Sequence, residues 1–239
     1  MTVAAAARRR RRVLFAVIAL AAVGTAAWIV TRSPFLDVDH LQVVGNTRET
    51  SQEVAAAAGL DTGDPMMWID PHEAAKRVEA LPWVATATVS RVWPDTVKIT
   101  VSERTPVAWV QAGEPNTETS RALVIDAAGR VLSLEVMAPD GLPQLLKVPS
   151  SVPVGATVDA VTAARVAGVM ATFDPRLAAS IEVKGDQVLL RTPSGTEIRL
   201  GRAVEVADKI RAAIAVLGTG HVDGAAYLDV SAPSNPVAG

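Results

Sequence analysis

Residues 83–103, WVATATVSRVWPDTVKITVSE, contain the pattern from which the fold of the surrounding chain follows. The second half alternates apolar and polar side chains from Val97 to Val101, a period of two that predicts a half-buried strand. Residues 84–92 are rich in β-branched side chains and predict its antiparallel partner. Pro94-Asp95, which lies between the two runs, is typical of a tight turn. The stretch therefore predicts a β-hairpin.

Two helix starts precede this hairpin. Residues 50–53, TSQE, have the capping-box spacing, in which a hydroxyl and a carboxylate accept free backbone N–H groups, and Gly59 predicts the end of that helix. Asp70-Pro71 places an acidic N-cap before a proline at the first helical position, and the second helix is expected to run to about Ala80. With a strand predicted near the start of residues 35–104, the order is β-α-α-β-β.

The chain beyond Thr105 shows shorter strands and more turn signals, which predict a second, β-rich domain over residues 105–231 with two or three helices. Residues 139–156 contain four prolines. They could be an interdomain linker, but Leu142, Leu145 and Leu146 would then be exposed. The segment is therefore expected to be extended or irregular and to lie against the second domain. Residues 232–239 are predicted to be a flexible tail. The fold class is α+β. Strands are expected at 106–110, 122–126, 130–136, 181–183, 188–191, 196–200 and 227–230, and helices at 159–172 and 204–217.

The stretch from Val13 to Thr31 is nineteen residues long and carries no charge. As a helix it would span roughly 30 Å, the thickness of a bilayer's hydrocarbon core, so a single transmembrane helix is predicted, with Trp28 in the headgroup belt. A cleaved signal peptide is the alternative, although the apolar run is longer than the usual signal core. Residues 1–12 are expected in the cytoplasm because of the positive-inside rule. The basic residues that set this orientation are Arg8, Arg9, Arg10, Arg11 and Arg12.

Composition excludes several classes of function. The chain has no cysteine, which rules out disulfides, thiolate metal sites and cysteine nucleophiles. Five of its 23 basic residues are the N-terminal arginines, so 18 basic residues face 25 acidic ones beyond them, a balance of −7 that argues against nucleic acid. Asp37, Asp39 and His40 are interpreted either as metal ligands or, because no further ligand has recognisable spacing, as a solvated segment. No cofactor is predicted.

Several short motifs are specific when they are taken together. Their residues are Gly45, Pro82, Trp83, Arg91, Trp93, Pro94, Glu103, Arg104 and Pro106. With these motifs the chain resembles the FtsQ family of bacterial division proteins, called DivIB in Gram-positive bacteria, and its POTRA domain in particular. The resemblance extends over essentially the whole chain, and the heavy use of Ala, Val and Arg is typical of a high-GC Gram-positive bacterium.

This resemblance implies a non-enzymatic scaffold of the division machinery that crosses the cell membrane once and is concentrated at the septum. It implies binding of FtsB/DivIC and FtsL through the extracytoplasmic part, and an indirect link to the septal peptidoglycan synthase pair. It also suggests that a partner adds a strand to a sheet edge near the end of the second domain. The residues of this chain that match that edge are Ala226, Tyr227, Leu228, Asp229 and Val230. The next two residues, Ser231 and Ala232, depart from the family's pattern.

Other interpretations remain at this level. A POTRA protein of envelope transport or assembly would have the same first unit, although such proteins usually repeat it. Catalysis has little support, because the chain contains no G-x-S-x-G, S-x-x-K or H-E-x-x-H motif and its nearest acid–base pair is His221 and Asp223. Trp83 and Trp93 are interpreted as core and hairpin-end packing, with partner binding as the alternative. Tyr227 is interpreted either as a partner anchor or as a side chain packed beneath the sheet.

Overall fold

The computed structural model describes residues 14–25, 28, 36–115, 117–149, 151–219 and 225–239. These residues divide into two compact units, with the boundary between Glu103 and Arg104. Each unit is built around its own cluster of buried apolar side chains. The structure is therefore a mixed α/β fold with a β-rich second unit.

Residues 14–25 form the first helix, α1. Among the described residues, no helix combines the length and the apolar character needed to span a membrane. The rest of the predicted transmembrane stretch, apart from Trp28, and the arginines at 8–12 lie outside the described residues. The apolar side chains of α1 are exposed, among them Phe15 and Leu20.

The described part of unit 1 has the predicted β-α-α-β-β order. Its strands form a sheet in the order β1-β3-β2, in which β1 runs parallel to β3 and β2 runs antiparallel to it. The two helices contribute the buried faces that cover this sheet, and a short 3-10 turn precedes the second helix. The elements are β1 (His40–Val44), α2 (Ser51–Ala58), the 3-10 turn (Met66–Trp68), α3 (Pro71–Glu79), β2 (Val84–Val92) and β3 (Thr96–Glu103).

Helices α2 and α3 of unit 1 begin as the sequence predicts. The Thr50 hydroxyl accepts the N–H of Glu53 at 3.2 Å, and the Glu53 carboxylate accepts the N–H of Thr50 at 2.8 Å, which completes the capping box. Gly59 ends α2 in the left-handed conformation. Asp70 caps α3 by accepting the N–H of His72 at 2.9 Å.

The described strands of unit 2 form a nine-stranded sheet in the order β12-β11-β10-β9-β8-β7-β4-β5-β6. Two helices, α4 (Ala160–Met170) and α5 (Val206–Gly218), contribute to the core on one face. The strands are β4 (Pro106–Ala112), β5 (Arg121–Asp126), β6 (Val131–Glu135), β7 (Gln144–Leu146), β8 (Ser180–Lys184), β9 (Gln187–Arg191), β10 (Glu197–Arg202), β11 (Tyr227–Asp229) and β12 (Val237–Ala238).

The proline-rich segment 139–156 is not a linker, because it contributes β7 to the middle of this sheet. Strand β7 pairs in parallel with β4 on one side and with β8 on the other. Leu145 is buried in the core. The expectation of an extended segment that lies against the second domain is therefore confirmed for these three residues. Their pairing inside the sheet was not predicted, because so short a run carries no alternation that a pattern search would detect.

The two helices of unit 2 form near the predicted positions, 159–172 and 204–217. Not all of their apolar side chains are buried. In α4, Val161 is exposed, whereas Thr162 and Ala163 are buried. In α5, Ile210 is buried and Ile214 is exposed.

The segment 232–239, predicted as a flexible tail, contains the edge strand β12. It pairs antiparallel with β11, so that Leu228 lies opposite Ala238 and Asp229 opposite Val237. Gly239 continues the pairing, because it exchanges two backbone hydrogen bonds with Tyr227, at 3.0 and 3.1 Å. The tail prediction is wrong here because two residues are too few to show a strand pattern.

Gly45 closes β1 and offers a direct test of the unit 1 fold. Its φ is +90°, and a Cβ there would lie 2.1 Å from the carbonyl oxygen of Val101 on β3. Gly63 has a similar φ of +95°, but a Cβ would meet nothing within 4 Å. We expect Gly63→Ala to lower the free energy of unfolding by about 1–2 kcal/mol, from backbone strain alone. Gly45→Ala should lower it clearly more, because β1 must also move away from β3. Urea unfolding of both variants measures the difference, and equal costs would contradict the close approach.

Candidate partner-binding site

Residues 226–230, predicted to be the partner site, lie inside the sheet rather than at its edge. Strand β11 pairs in parallel with β10, where Leu228 lies opposite Ile198, and antiparallel with β12 on its other side. The Ala226 carbonyl accepts the N–H of Glu197 at 3.0 Å. The prediction of a free edge on β11 is therefore corrected, since both sides of the strand are already paired within the chain.

The side chains of this segment alternate between two environments. Leu228 and Val230 are completely buried in the core of unit 2. The Val230 N–H donates to the carbonyl of Arg199 at 2.9 Å. Replacing either residue by proline would therefore disrupt internal packing and the pairing of β11, so neither substitution reports on a partner specifically.

Tyr227 lies on the sheet face opposite this core, where its ring is partly exposed. The Arg199 guanidinium lies 4.3 Å from the ring centroid, a cation–π distance. A Cβ on Gly239 would come within 2.9 Å of the Tyr227 hydroxyl oxygen, so the ring also fills the space beside residue 239. Of the two interpretations of Tyr227, this arrangement supports packing on the sheet, since both flanks of the ring are covered by the chain.

A charged ladder surrounds Tyr227 on the same face. Arg199 donates to the Glu197 carboxylate at 2.8 Å, and this hydrogen bond raises the pKa of the Arg199 guanidinium. Asp229 accepts the N–H of Ser231 at 2.9 Å. Hydrogen bonds from Ser231, first from its hydroxyl and then from its backbone, lower the pKa of Asp229. Ser231 thus supports the turn after β11.

Among the described strands, β12 pairs with β11 alone and forms one edge of the sheet. In an antiparallel ladder, residues alternate between those whose N–H and C=O point to the partner strand and those whose groups point away. Tyr227 and Gly239 exchange both bonds, so Asp229 and Val237, two positions along, belong to the same class. The N–H and C=O of Ala238 therefore point outward from the edge. These are the groups with which an added strand would form hydrogen bonds.

The residues that carry the family resemblance gather at three places. The first is the end of unit 1 where β3 finishes, and its centre is Glu103. One carboxylate oxygen of Glu103 accepts the backbone N–H groups of Thr47, Arg48 and Glu49 at 2.6, 2.8 and 3.2 Å. Burial alone would raise the pKa of Glu103, but these three donors outweigh it and the pKa is lowered. Glu103 thereby fixes the loop between β1 and α2.

Trp83 lies at the same end of unit 1, directly before β2. Its ring lies under the guanidinium of Arg48, 4.9 Å from the centroid. The ring is half-buried. Trp83 is therefore not a core tryptophan as predicted, and it instead stacks on the loop that Glu103 holds. Pro82 precedes it at the turn that follows α3.

The second place is the opposite end of unit 1, at the turn between β2 and β3. An Arg91 side-chain nitrogen donates to the carbonyl of Ile69, which ties β2 to the segment before α3. Trp93 and Pro94 follow at the tip of the hairpin, joined by a cis peptide bond. Half of the Trp93 surface is exposed, at 50%, so the expected hairpin-end packing covers it only in part.

The third place is the start of unit 2. Arg104 donates to the carboxylate of Asp126 at 2.7 Å, and Pro106 begins β4. Asp126 is buried, and its other oxygen accepts the N–H groups of Ala128 and Arg130 at 2.9 and 2.8 Å. Asp126 was missed by the sequence analysis, although an Asp at the start of a glycine-containing turn is a signal for this role.

Comparison with known proteins agrees with these motifs. A family model described as a POTRA domain, FtsQ-type, matches residues 36–104. The chain is 30% identical over 219 residues to a cell division protein FtsQ of Streptomyces bingchenggensis, covering 87% of this chain and 78% of the relative. The chain belongs to the FtsQ family of cell division proteins.

Two further relatives show how far the similarity extends. The FtsQ of Corynebacterium glutamicum is 29% identical over 208 residues, which cover 84% of this chain and 86% of the relative. The FtsQ of Koribacter versatilis is 35% identical over 116 residues, but these cover 48% of this chain and only 31% of the relative. The similarity to the Streptomyces and Corynebacterium proteins includes most of both units, and the POTRA match at residues 36–104 lies almost entirely in unit 1.

Two grooves on the described surface of unit 2 differ in their lining. A groove of about 510 Å³ lies between α4 and α5, and its lining is apolar except for Arg165, which donates to the carbonyl of Gly185. A second groove, of about 360 Å³, crosses the sheet face, and its charged side chains form ion pairs, Lys184 with Glu182 and Arg191 with Glu197. A hydrogen bond from Lys147 is the main cause that lowers the pKa of Glu182, so this carboxylate is an ion-pair partner. Among the described residues, no three His, Asp or Glu side chains are placed to hold a metal ion.

Glu103 predicts a specific pH dependence of stability. Because its folded pKa is lowered, the carboxylate contributes stability above its ordinary pKa of about 4.3 and loses that contribution as pH falls through the lower folded value. We expect Glu103→Gln to lower the free energy of unfolding by about 1–2 kcal/mol at pH 6. The difference in free energy of unfolding between the variant and the unmodified chain should narrow toward pH 3. Urea unfolding at both pH values measures it.

Glu79→Gln is the matched control for this experiment, because the Glu79 carboxylate accepts a single backbone N–H, from Ala87 at 3.0 Å. Its cost at pH 6 should be smaller than that of Glu103→Gln. A gap for Glu103→Gln that stays constant between pH 6 and pH 3 would mean that the charge of Glu103 does not hold the loop.

Proposed function

We propose that this protein is a non-enzymatic, single-pass membrane scaffold of the division septum. Its extracytoplasmic part binds FtsB/DivIC and FtsL and links them indirectly to the septal peptidoglycan synthase pair. The proposed division of the chain is a cytoplasmic tail at 1–12, a membrane anchor at 13–31, the POTRA domain at 35–104 and the β domain at 105–231, continued by β12. Membership of the FtsQ family supports this scaffold over a POTRA protein of envelope transport.

The membrane anchor is supported by the N-terminal sequence and by α1. Residues 13–31 carry no charge, and five arginines precede them. Within the described part of the chain the apolar side chains of α1 are exposed, with Phe15 at 70% and Leu20 at 75%. Lipid is the environment in which such a helix gains free energy, and arginines at one end hold that end in the cytoplasm.

The observation that carries the binding proposal is the outer edge of β12. Its free N–H and C=O groups at Ala238 are main-chain groups, so they do not depend on the side chains at Ser231 and Ala232 that depart from the family's pattern. Val237 is half-exposed beside them and offers an apolar contact for a partner side chain. The proposed site is therefore the edge next to β11, shifted by one strand from the segment that the sequence indicated.

A topology measurement tests the anchor. A reporter that is active only outside the cytoplasm should be active when it is fused after Ala108, and silent when it replaces residues 1–7, because the arginines hold the N-terminus inside. Release of a soluble protein that begins near Trp28 would show a cleaved signal peptide instead.

A proline substitution tests the edge. Ala238→Pro removes the outward N–H without removing a bond to β11, so binding of the soluble part of the cell's FtsB/DivIC homologue should weaken at least about tenfold, or roughly 1.4 kcal/mol. Affinity for the purified full-length chain is the measurement. Unchanged affinity at an unchanged melting temperature would place the partner elsewhere.

Val237→Thr is the matched control, because it keeps every main-chain donor and a β-branched side chain. It should retain most of the affinity. Val237→Pro removes the N–H that points to Asp229, so it should detach β12 from β11. Partner affinity should then fall, and the Gly239 amide should lose its protection from hydrogen exchange. The two proline variants thus separate a lost partner bond from a lost strand.

A further inference from the structure

Four large apolar side chains are exposed together at one end of unit 1. Two belong to the 3-10 turn before α3, and two belong to the end of β2. They are Met67, Trp68, Val92 and Trp93, with exposed fractions of 46%, 69%, 48% and 50%. We call this the tryptophan end. Exposed clusters of this kind commonly mark a contact with another surface.

The backbone holds these residues at the same end. Arg91 donates to the carbonyl of Ile69, so the segment that carries Trp68 is tied to β2 two residues before Trp93. Trp93 directly follows Val92, the last residue of β2, so it lies at the same end of the strand as the Arg91 contact. Trp83 precedes the opposite end of β2, so the nine residues of the strand, about 30 Å in length, separate it from Trp93.

The tryptophan end is also the end at which the chain comes in from α1. The Asp39 N–H donates to the carbonyl of Asp95 at 2.8 Å, and the Val38 N–H donates to that of Asp64 at 2.9 Å. From Trp28 to Leu36, the next described residue, there are eight residue steps, a reach of at most about 29 Å. The exposed tryptophans are therefore tethered close to the apolar N-terminal segment.

We propose that the tryptophan end rests in the headgroup region of the membrane that holds the anchor. Indole rings favour this region, where the ring is shielded and the N–H stays hydrated. This inference rests on the proposed membrane anchor and adds that the POTRA domain contacts lipid directly. Without the tether the patch would be a weak binder, but the tether holds it near the bilayer at a high effective concentration.

The charges around the patch indicate which lipid surface suits it. Acidic side chains flank the incoming chain and the hairpin turn, at Asp37, Asp39, Asp64 and Asp95. A strongly anionic bilayer would repel them, whereas the cationic group of a zwitterionic headgroup pairs with carboxylates and with indole faces. Zwitterionic phosphatidylcholine is therefore the probe lipid.

Quenching by brominated lipid tests the contact on the full-length chain. The chain is placed in nanodiscs of phosphatidylcholine, either unmodified or brominated high on the acyl chains, and tryptophan emission is compared. Trp28→Phe serves as the background, because Trp28 belongs to the anchor. In this background we expect a loss of emission in brominated discs, and no such loss once Trp68 and Trp93 are also replaced by Phe.

Two comparisons make the outcome specific. Trp83→Phe in the same background should retain the quenching, since Trp83 lies at the far end of the domain. A chain that stays in the discs with equal emission in both lipids overturns the lipid contact but leaves the anchor in place. If the emission of Trp68 and Trp93 then shifts to the blue only when the FtsB/DivIC homologue is added, the end belongs to a protein partner. A chain that does not remain with the discs overturns the anchor and this inference together.

Discussion

The sheet of unit 2 depends on a strand of three residues. Strand β7 lies between β4 and β8 and pairs in parallel with both. Its segment also supplies two bonds at its start, since the Trp109 N–H donates to the carbonyl of Pro143 at 3.1 Å and the Gln144 N–H to that of Ala179 at 3.0 Å. Without β7, the three strands before it and the five strands after it would form two separate sheets. That separation would add two exposed edges, each with a row of unpaired backbone groups. The position of β12 at the far side is set through this chain of pairings.

The sequence predicts best where a local rule and a tertiary contact agree. The capping box at Thr50 and the N-cap at Asp70 act within a few residues, so they are visible without a structure. Strand β7 and strand β12 are invisible because they are two or three residues long and owe their conformation to neighbours far along the chain. In α5, likewise, the spacing of the apolar residues does not show which of them the fold buries, since Ile210 is buried and Ile214 is exposed.

The residues by which the family is recognised act mainly in folding. Gly45 allows β1 to approach β3, Glu103 holds the loop before α2, and Arg104 pairs with the buried Asp126. The proposed partner edge at Ala238 carries no such motif, because strand addition reads the main chain. This difference explains why the sequence identifies the family and its first domain readily, yet does not indicate the proposed edge at β12.

The central claim is that the outer edge of β12 receives a partner strand, and amide hydrogen exchange at single-residue resolution tests it most directly. In the free protein the Ala238 amide should exchange rapidly, whereas the Val237 amide, which points to β11, should exchange more slowly. Saturation with the FtsB/DivIC homologue should slow exchange at Ala238 and leave Val237 protected. Unchanged exchange at Ala238, with new protection confined to another part of the protein, would contradict the account.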